Sequence, residues 1–491
     1  MKKKSQHILK IMASVAITVI LCLATILPAA SPVKAAAVPT GTLWGFGSMD
    51  TSNNPVLSLV GLSYVTSFDA GFDGHSLAVT TGGNVYAWGD NSYGQLGQGT
   101  SGSSSITAQN PVEVKGPNGV GYLSGVASVS AGNEWSVALK TDGTVWVWGN
   151  NSGGYLGIGT IGTGATQNVL TPVQVVNPSD STGFLQHIVA VSAGFESTLA
   201  LKNDGTVWSW GYNDWGEIGN GTHGNGTIAT TAVPTPVQVA GGAAGTTYLT
   251  GIKSICASNA YCVALTNGGN VYTWGCNTWN NLGTNQTSSQ LYRSPSPVEV
   301  VGVGGTGHLS GIDQISSHGT HCLAFSASAG NVIYGWGSNY DGILGQSNTS
   351  IFYASPVQVY VIGAGSGSTT GDGGVMIGAG LSRTMIKLPN NSVIVYGEGF
   401  GTTTSGGVVF NIIGLNGVHD VSNMSAGSAL YMMGPVRTAT TTVVTSSQSP
   451  SNWGQDVTFT ATVTPTGSYT PIGQVNFGLN SFSYRYALHN P

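Results

Sequence analysis

A block of about 60 residues repeats along most of this chain, and it constrains the fold more than any other feature. Its most regular part reads VWSWGYNDWGEIGNGT at 207–222, VYAWGDNSYGQLGQGT at 85–100 and VWVWGNNSGGYLGIGT at 145–160. In each copy an aromatic residue precedes a glycine, at spacings of 60 to 64 residues. These aromatic residues are Trp88, Trp148, Trp210, Trp274, Trp336 and Tyr396. Such a period predicts an array of similar structural units.

Each unit is predicted to contain four β-strands joined by tight turns. In the unit at 126–175, VASVSA and SVALK alternate as half-buried strands do, and VWVWG and TPVQV are predicted as the third and fourth strands. Asp142-Gly143 and Asp204-Gly205 fit two-residue hairpin turns that need positive φ. A four-stranded unit cannot bury both of its faces alone, so stacking the units around an axis is favoured.

The two ends of the array predict a closed ring of seven units. GTLWGFG at 41–47 aligns with GTVWVWG at 143–149, which places Phe46 in the position of Trp148. Residues 421–433 supply two strands of a last unit and no third, and the N-terminal strand can complete it. We therefore predict an all-β fold, a seven-bladed β-propeller over 41–436 closed by the N-terminal strand, with the repeated aromatic residues in its core.

Both ends of the chain differ in composition from the repeats. Residues 1–35 have three early lysines, an apolar run of 17 residues and small residues up to Ala35. This pattern predicts a signal peptide and a secreted or cell-surface protein without stable membrane insertion after cleavage. An uncleaved membrane anchor is the alternative. Residues 438–491 are rich in Thr with Pro and Gly turns, which indicates three strands of a β-sandwich.

The charge balance argues against nucleic acid as a partner. Residues 1–35 contain five of the 14 basic residues and none of the 19 acidic ones, so their removal leaves a net charge near −10. Phosphate binding needs a basic surface, and no cluster of Lys or Arg follows Lys34. We expect neither nucleic acid nor an anionic membrane surface as a partner.

The cysteines after residue 35 leave two interpretations open. They are Cys256, Cys262, Cys276 and Cys322. Cys262 and Cys322 occupy the repeat position of Ser76 and Ser136, which favours small side chains in tight sites. A secreted protein also allows a disulfide, and Cys256–Cys262 across a hairpin is the first pair to test.

The repeats resemble those of the regulator of chromosome condensation family, in its secreted bacterial form. The resemblance rests on AGFDGHSLAV, KTDGTVWVWGNN, YGQLGQGT and TPVQV, and it covers about 41–436. It implies a seven-bladed propeller and says little about activity, because such a scaffold carries unrelated functions. Residues 438–491 resemble the opening half of a bacterial immunoglobulin-like surface repeat, although a whole domain of that kind needs roughly 80–100 residues.

Strand direction sorts the loops onto two faces. If the first strand of each unit runs up, the turn after it and the long loop after the third strand lie on the top face. The first residue of the second strand varies between units, and variation on a constant frame is typical of a binding face. The candidate binding residues are His75, Trp135, Tyr261, His321 and Arg383 at those strand starts, and Trp215 and Trp279 in the loops. Alternatively, the loop aromatics, including Tyr93, cap their own blades.

Motifs of catalytic, metal or cofactor sites are missing from the sequence. G-x-S-x-G, H-E-x-x-H and a phosphate-binding loop with Lys do not occur. His318, His321 and Cys322 are metal-ligand types, but they fall on a repeat turn. We expect neither an enzyme nor a bound metal or cofactor.

Four functions compete. The one we expect is a secreted, non-catalytic module whose top face binds an extracellular protein, and the resemblance adds inhibition because secreted propellers of this family include an inhibitor of β-lactamases. The alternative is adhesion to a cell-envelope glycan, for which exposed aromatics are suited. Guanine-nucleotide exchange, the activity of the eukaryotic namesake, is disfavoured because a signal peptide separates the chain from cytoplasmic GTPases. A hydrolase would need a site hidden in the non-repeated loops.

Overall fold

Four antiparallel strands form each repeat, as the alternating pattern predicts. The computed structural model describes residues 62–397 except 63, 73, 103–107, 226–230, 242–247, 347–349, 360–374 and 388–392, and the backbone of strands outside this range. From inner to outer strand, blade 1 comprises Val65–Ala70, His75–Thr80, Val85–Gly89 and Ala108–Glu113. Blade 2 comprises Val126–Ala131, Trp135–Lys140, Val145–Asn150 and Asn168–Gln174. Blade 3 comprises Ile188–Ala193, Ser197–Lys202, Val207–Gly211 and Val233–Gln238. In the same order, blade 4 comprises Ile252–Ala257, Tyr261–Thr266, Val271–Cys276 and Arg293–Glu299. Blade 5 comprises Gln314–Ser317, His321–Ser326, Val332–Ser338 and Phe352–Gln358. Blade 6 comprises Met376–Ala379, Arg383–Lys387, Val393–Gly397 and Val408–Phe410.

In the part of the chain that the structure describes, the propeller has six blades, not the predicted seven. Strands Asp420–Asn423, Leu430–Pro435 and Gly41–Met49 pair in that order, and Pro55–Leu59 adds to Gly41–Met49. The predicted pairing of the N-terminal strand with the last strands therefore occurs, from Gly41 opposite Pro435 to Phe46 opposite Leu430. However, Gly41 also pairs with Val65, so these strands continue into the sheet of blade 1 and do not form a separate blade. The side chain of Phe46 lies outside the described residues.

The apolar core is divided into clusters that lie between neighbouring blades. One cluster joins Leu77 and Val79 of blade 1 to Val129 and Trp148 of blade 2. The same relation recurs around the ring, because each third-strand aromatic packs on the preceding blade: Trp210 on blade 2, Trp274 on blade 3, Trp336 on blade 4 and Tyr396 on blade 5. The prediction that these repeated aromatics are core residues is confirmed.

The indole N–H explains why most of these positions carry Trp. Nε1 of Trp148 donates to the carbonyl of Gln95 over 2.8 Å, and Nε1 of Trp210 donates to the carbonyl of Tyr155 over 3.0 Å. Trp274 and Trp336 bond in the same way to the loops of blades 3 and 4. The Trp ring thus packs in the apolar core, and its one N–H donates to a buried loop carbonyl of the neighbouring blade.

The glycine after each aromatic is required by a close backbone approach. Gly149 has φ 107°, and a Cβ at this position would lie 2.5 Å from the carbonyl oxygen of Glu134. The register of the third and fourth strands shifts at the same point, between Val147 and Gly149. A β-bulge that only glycine can occupy therefore anchors the first turn of the blade against its third strand.

The Asp-Gly turns differ in detail from the prediction. Only the glycine has positive φ, 80° in Gly143, and Asp142 instead accepts bonds from N–H and O–H of Thr144. The N–H of Lys140 bonds the carbonyl of Thr144, so the loop has three residues with a bulge at glycine. The Asn390-Asn391 turn predicted in blade 6 lies outside the described residues.

Outside the propeller the structure gives strand pairing only. Thr440–Ser446 pairs with Phe459–Pro465, and Gln474–Leu479 pairs with Phe482–Ala487. Met12–Ala13 pairs in parallel with Phe459–Pro465. The predicted signal peptide and immunoglobulin-like segment otherwise fall outside the described residues. Within the part of the chain that is described, no helix has the length and apolar character needed to cross a membrane.

Candidate functional site

Five of the seven predicted binding residues are buried and do not form an exposed ring. Trp135 is 1% exposed, and Arg383, the most accessible of the five, is 8% exposed. His75, Tyr261 and His321 are fully buried. As the structure stands, a partner on the top face cannot use these side chains as surface anchors.

The reason is that four of these five residues bond the next blade. Nε1 of Trp135 in blade 2 donates to Oγ1 of Thr198 in blade 3 over 3.1 Å. His75 reaches Ser136 in the same way, with 3.1 Å between Nε2 and Oγ, and His321 reaches Thr384 with 2.7 Å between Nε2 and Oγ1. Tyr261 donates to the carbonyl of His321 over 3.0 Å. The variable position at the start of the second strand thus forms hydrogen bonds between neighbouring blades. Burial lowers the pKa of His75 to about 4 and that of His321 to about 3.

The two predicted loop aromatics reach the surface of the top face. Trp279 is 37% exposed, and its ring lies 5.7 Å from that of Phe352 in the outer strand of blade 5. Trp215 is half-buried and makes an edge contact of 5.4 Å with Tyr292 beside the outer strand of blade 4. Trp215 and Trp279 therefore each pack on an aromatic residue of the next blade.

Other exposed apolar side chains were missed by the sequence prediction. On the top face these are Phe195, Tyr292, Tyr340 and Ile351. The bottom face also carries exposed aromatics, among them Tyr122, Phe184 and Tyr248, which occupy one repeat position before the inner strand of the next blade. The recurrence of Tyr or Phe before Leu at that position was the available signal.

The turns at the top of the inner strands meet across the ring axis. Phe72 of blade 1 stacks on His318 of blade 5, with centroids 4.0 Å apart and ring planes 11° apart. Phe195 of blade 3 contacts the edge of Phe72 at 5.6 Å. Burial lowers the pKa of His318 to about 4. These rings cover the axis with an apolar cluster.

A small polar cavity lies among the inner strands. Its volume is about 70 Å³, and its lining includes Asp69, Ser130, Ser192 and Cys256. Oδ2 of Asp69 accepts bonds from Oγ of Ser130 and from the N–H of Ala131 in the next blade. Burial raises the pKa of Asp69 to about 6, against the effect of these bonds. In blades 2, 3 and 5 Ser takes this position and its Oγ accepts an N–H of the next blade, as Ser130 accepts that of Ala193.

Acidic and phenolic side chains gather on the top face between blades 2 and 3. We call this group the acidic recess; it consists of Glu134, Tyr155, Glu196, Tyr212 and Glu217. Trp135 supports it from below, because its ring stacks on Tyr155 with centroids 4.4 Å apart and planes 4° apart. Burial raises the pKa of Tyr155, and the charges of Glu196, Glu134 and Glu217 act in the same direction.

Two carboxyl groups of the recess interact directly. Burial raises the pKa of Glu217 well above its ordinary value, and the negative charge of Glu196 raises it further. Burial also raises the pKa of Glu196, against the effect of its hydrogen bond with Glu217, and the nearby charge of Asp214 adds to the increase. The pair therefore holds a proton more readily than free carboxyl groups do.

The cysteines are free thiols in the described structure. The proposed Cys256–Cys262 disulfide does not form, because Cys256 lies opposite Val263 and Cys262 opposite Ala257, so that their side chains point to opposite faces of the sheet. Burial raises the pKa of Cys256 and Cys322 to about 12. Among the described residues, no group of three or more His, Cys, Asp or Glu side chains has a metal-binding arrangement.

Comparison with known proteins identifies the repeats. A model of the regulator of chromosome condensation (RCC1) repeat matches residues 82–139, 142–201, 204–265 and 268–325. A second model of the same repeat matches 65–95, 126–154 and 188–216. These matches follow the blades, each beginning near the third or the inner strand.

Two relatives and one solved structure show how far the similarity extends. The chain is 28% identical over 357 residues to the ultraviolet-B receptor UVR8 of Arabidopsis thaliana, over 72% of this chain and 70% of the receptor. It is 29% identical over 276 residues to the human E3 ubiquitin-protein ligase HERC2, over 56% of this chain but only 5% of the ligase. Its fold is similar to yeast RCC1 (Prp20), solved with Kap60, with a TM-score of 0.60 and 16% identity over 83% of this chain and 95% of that chain.

Proposed function

Because the chain belongs to the regulator of chromosome condensation (RCC1) repeat family, we propose that it is a non-catalytic, protein-binding module that uses the top face of its propeller. The observation that carries this proposal is the pair of aromatic contacts Trp215–Tyr292 and Trp279–Phe352 on that face. Each pair holds a large ring at the surface with little freedom left to lose on binding. Binding of Kap60 by yeast RCC1 supports a protein as the kind of partner for this fold.

The place of action and the form of binding are part of this proposal. The apolar run after the first lysines supports secretion, so the partner is an extracellular protein, and inhibition of a secreted enzyme is one form such binding can take. Mass spectrometry of the N-terminus in the culture medium tests secretion. A mature protein that begins near residue 36 is expected, whereas an intact N-terminus inside the cell contradicts it.

We also propose that the strands joined to blade 1 act as the closing element of the ring. Asp420–Asn423 contacts the inner strands of blade 6 and blade 1, which supports this role. Gly41–Met49 then supplies the strand that the C-terminal residues lack. Such closure protects edges that would otherwise pair with other chains.

Binding is tested with the full chain and two matched double variants. Trp215→Ala/Trp279→Ala changes the top face, and Tyr122→Ala/Phe184→Ala removes exposed aromatics from the bottom face. Proteins and soluble glycans from the surface and medium of the source organism are offered separately. We expect a protein partner whose affinity falls about thirtyfold in the top-face variant and is unchanged in the bottom-face variant.

Two outcomes contradict the proposal. Loss of the partner only in the bottom-face variant would place the site on the opposite face. Binding of a glycan without a protein partner would favour adhesion, for which the exposed ring of Trp279 is suited by stacking on sugars.

A further inference from the structure

One position of the inner strand lines the small polar cavity in each of the six described blades. It is the last residue but one of each inner strand. Five of these blades place an oxygen or sulfur atom there, and the sixth has Gly378. The five residues are Asp69, Ser130, Ser192, Cys256 and Ser316. The repetition of the blades therefore gathers five polar side chains around the centre of the ring.

The oxygen atoms at this position are held in place by bonds between blades. In four blades the oxygen accepts a backbone N–H of the next blade over 2.9 Å. A hydroxyl oxygen has two lone pairs, so each Ser keeps one of them after this bond. Ionised Asp69 has about four acceptor positions, and three are used by the N–H groups of Ala70 and Ala131 and the O–H of Ser130. The wall of the cavity thus keeps acceptor capacity in oxygens of fixed position.

Asp69 brings a negative charge into this wall without a positive partner. Among the described residues that line the cavity it is the only acid, and none is Lys or Arg. Burial raises the pKa of Asp69 to about 6, so the carboxyl group is ionised at neutral pH. The other titratable side chains of the lining are then neutral, because burial lowers the pKa of His318 to about 4 and raises that of Cys256 to about 12. A buried carboxylate without a counter-charge costs free energy.

We propose that the cavity binds a monovalent cation, Na⁺ or K⁺, beside the carboxylate of Asp69. Hard cations take oxygen ligands, and the carboxylate and the Ser hydroxyls supply them. The single charge of Asp69 matches one positive charge, whereas a divalent ion would leave a positive charge buried and unpaired. One water needs about 10–15 Å³ of accessible volume. The cavity of about 70 Å³ therefore has room for the ion and a few waters.

The rings at the centre of the top face strengthen this site. His318 lines the cavity and stacks on Phe72, so the two rings cover the cavity on that side. Exclusion of bulk water lowers the local dielectric constant, and the attraction between carboxylate and cation becomes larger. The site has one carboxyl group and otherwise hydroxyl oxygens, so it lacks the several His, Cys, Asp or Glu ligands by which a metal site is recognised in a sequence.

The experiment measures the Tm of the full chain at pH 7.5 in NaCl, in KCl and in choline chloride, at the same ionic strength of about 0.15 M. The charge of choline is covered by alkyl groups that oxygen ligands cannot approach closely, so choline controls for screening. We expect Tm in NaCl or KCl to exceed that in choline chloride by about 3 °C or more, because the bound ion stabilises only the folded state. At pH 5 a proton occupies Asp69, and the difference should at least halve.

Asp69→Ser and Asp69→Asn test whether the response comes from this site. Ser occupies the position in three sister blades, and Asn keeps the shape of the side chain without its charge, so both variants should fold. We expect both to lose the difference between Na⁺ or K⁺ and choline. Asp180→Ser is the matched control, because it removes a carboxyl group on the bottom face that accepts the N–H of Thr182. This variant should keep the difference.

Four outcomes would overturn the inference. Equal Tm in the three salts at pH 7.5 would mean that no cation binds. A cation response that persists in Asp69→Ser and Asp69→Asn would place the ion elsewhere, and so would a response that Asp180→Ser also loses. A response of equal size at pH 5 and pH 7.5 would be an effect of salt on the protein surface. The test needs no partner, so its result is independent of the proposed function of the top face.

Discussion

Trp135 lies beneath Tyr155, with their rings 4.4 Å apart and within 4° of parallel. The residue that the sequence singled out as an anchor for a partner thus supports the floor of the acidic recess from inside the propeller. Its indole also bonds Thr198 of the next blade. A change at Trp135 therefore acts on the fold first, and on binding only through Tyr155.

Trp135→Ala should destabilise the protein strongly, whereas Trp279→Ala should not. Truncation of a buried Trp leaves a large cavity and costs about 3–5 kcal/mol of unfolding free energy. Trp279 is partly exposed, and its loss should cost less than about 1 kcal/mol. Denaturant unfolding of both variants measures the difference, and similar losses would mean that Trp279 is also a core residue.

Two tryptophans of one strand give a matched test of the indole bond between blades. Trp210→Phe removes the donor to the carbonyl of Tyr155, and we expect a loss of about 2–3 kcal/mol from the missing bond and the smaller ring. Nε1 of Trp208 is buried without a partner in the described structure, so Trp208→Phe should change stability by less than about 1 kcal/mol. Urea unfolding measures the free energy of unfolding of both variants. Equal losses in the two variants would contradict this explanation of the Trp-Gly repeat.

Much of the fold could be predicted because its causes repeat in every unit. The bond from Trp148 to Gln95 and the close approach at Gly149 recur from blade to blade, so their residues recur in the sequence. The variable strand starts were misinterpreted for a physical reason. Trp135 and His75 vary because each matches a particular partner, Thr198 or Ser136, in the next blade. A single sequence shows variation there but not the partner that compensates for it.

The acidic recess was beyond sequence reasoning for a related reason. Glu196 and Glu217 belong to different loops of blade 3, and only the folded blade brings their carboxyl groups together. The available signal was small: Glu217 carries a carboxylate where Gln95 and Asn281 carry amides. Its meaning depends on which atoms of those amides donate, and only the structure provides this.

Removal of the N-terminal strand should weaken the ring. Deletion of residues 36–48 removes most of Gly41–Met49, which pairs with Leu430–Pro435, and so exposes an unpaired edge. We expect aggregation or a drop in Tm of more than about 5 °C. Deletion of residues 1–35 is the control, because it keeps the strand. Equal melting of the two truncated proteins would reject the closing role.

Asp69 should make stability depend on pH in a direction opposite to that of the buried histidines. Its folded pKa is about 6 and its ordinary value is 3.8, so the folded protein holds the proton more tightly. Its contribution is greatest below pH 3.8 and is lost as the pH rises to about 6. His75 and His321 have lowered pKa values, and their contributions are lost as the pH falls below about 6.5.

Asp69→Ser isolates the contribution of the carboxyl group, because Ser130 and Ser192 show that Ser at this position still accepts the N–H of the next blade. The histidine contributions are common to both proteins and cancel in the difference. Between pH 4 and pH 6, the unfolding free energy of Asp69→Ser should therefore rise relative to that of the natural protein by about 2–3 kcal/mol, which corresponds to the shift of about two pH units. Urea unfolding at pH 4, 5, 6 and 7 measures this difference. A constant difference across these pH values would mean that Asp69 does not keep its proton in the cavity among the inner strands.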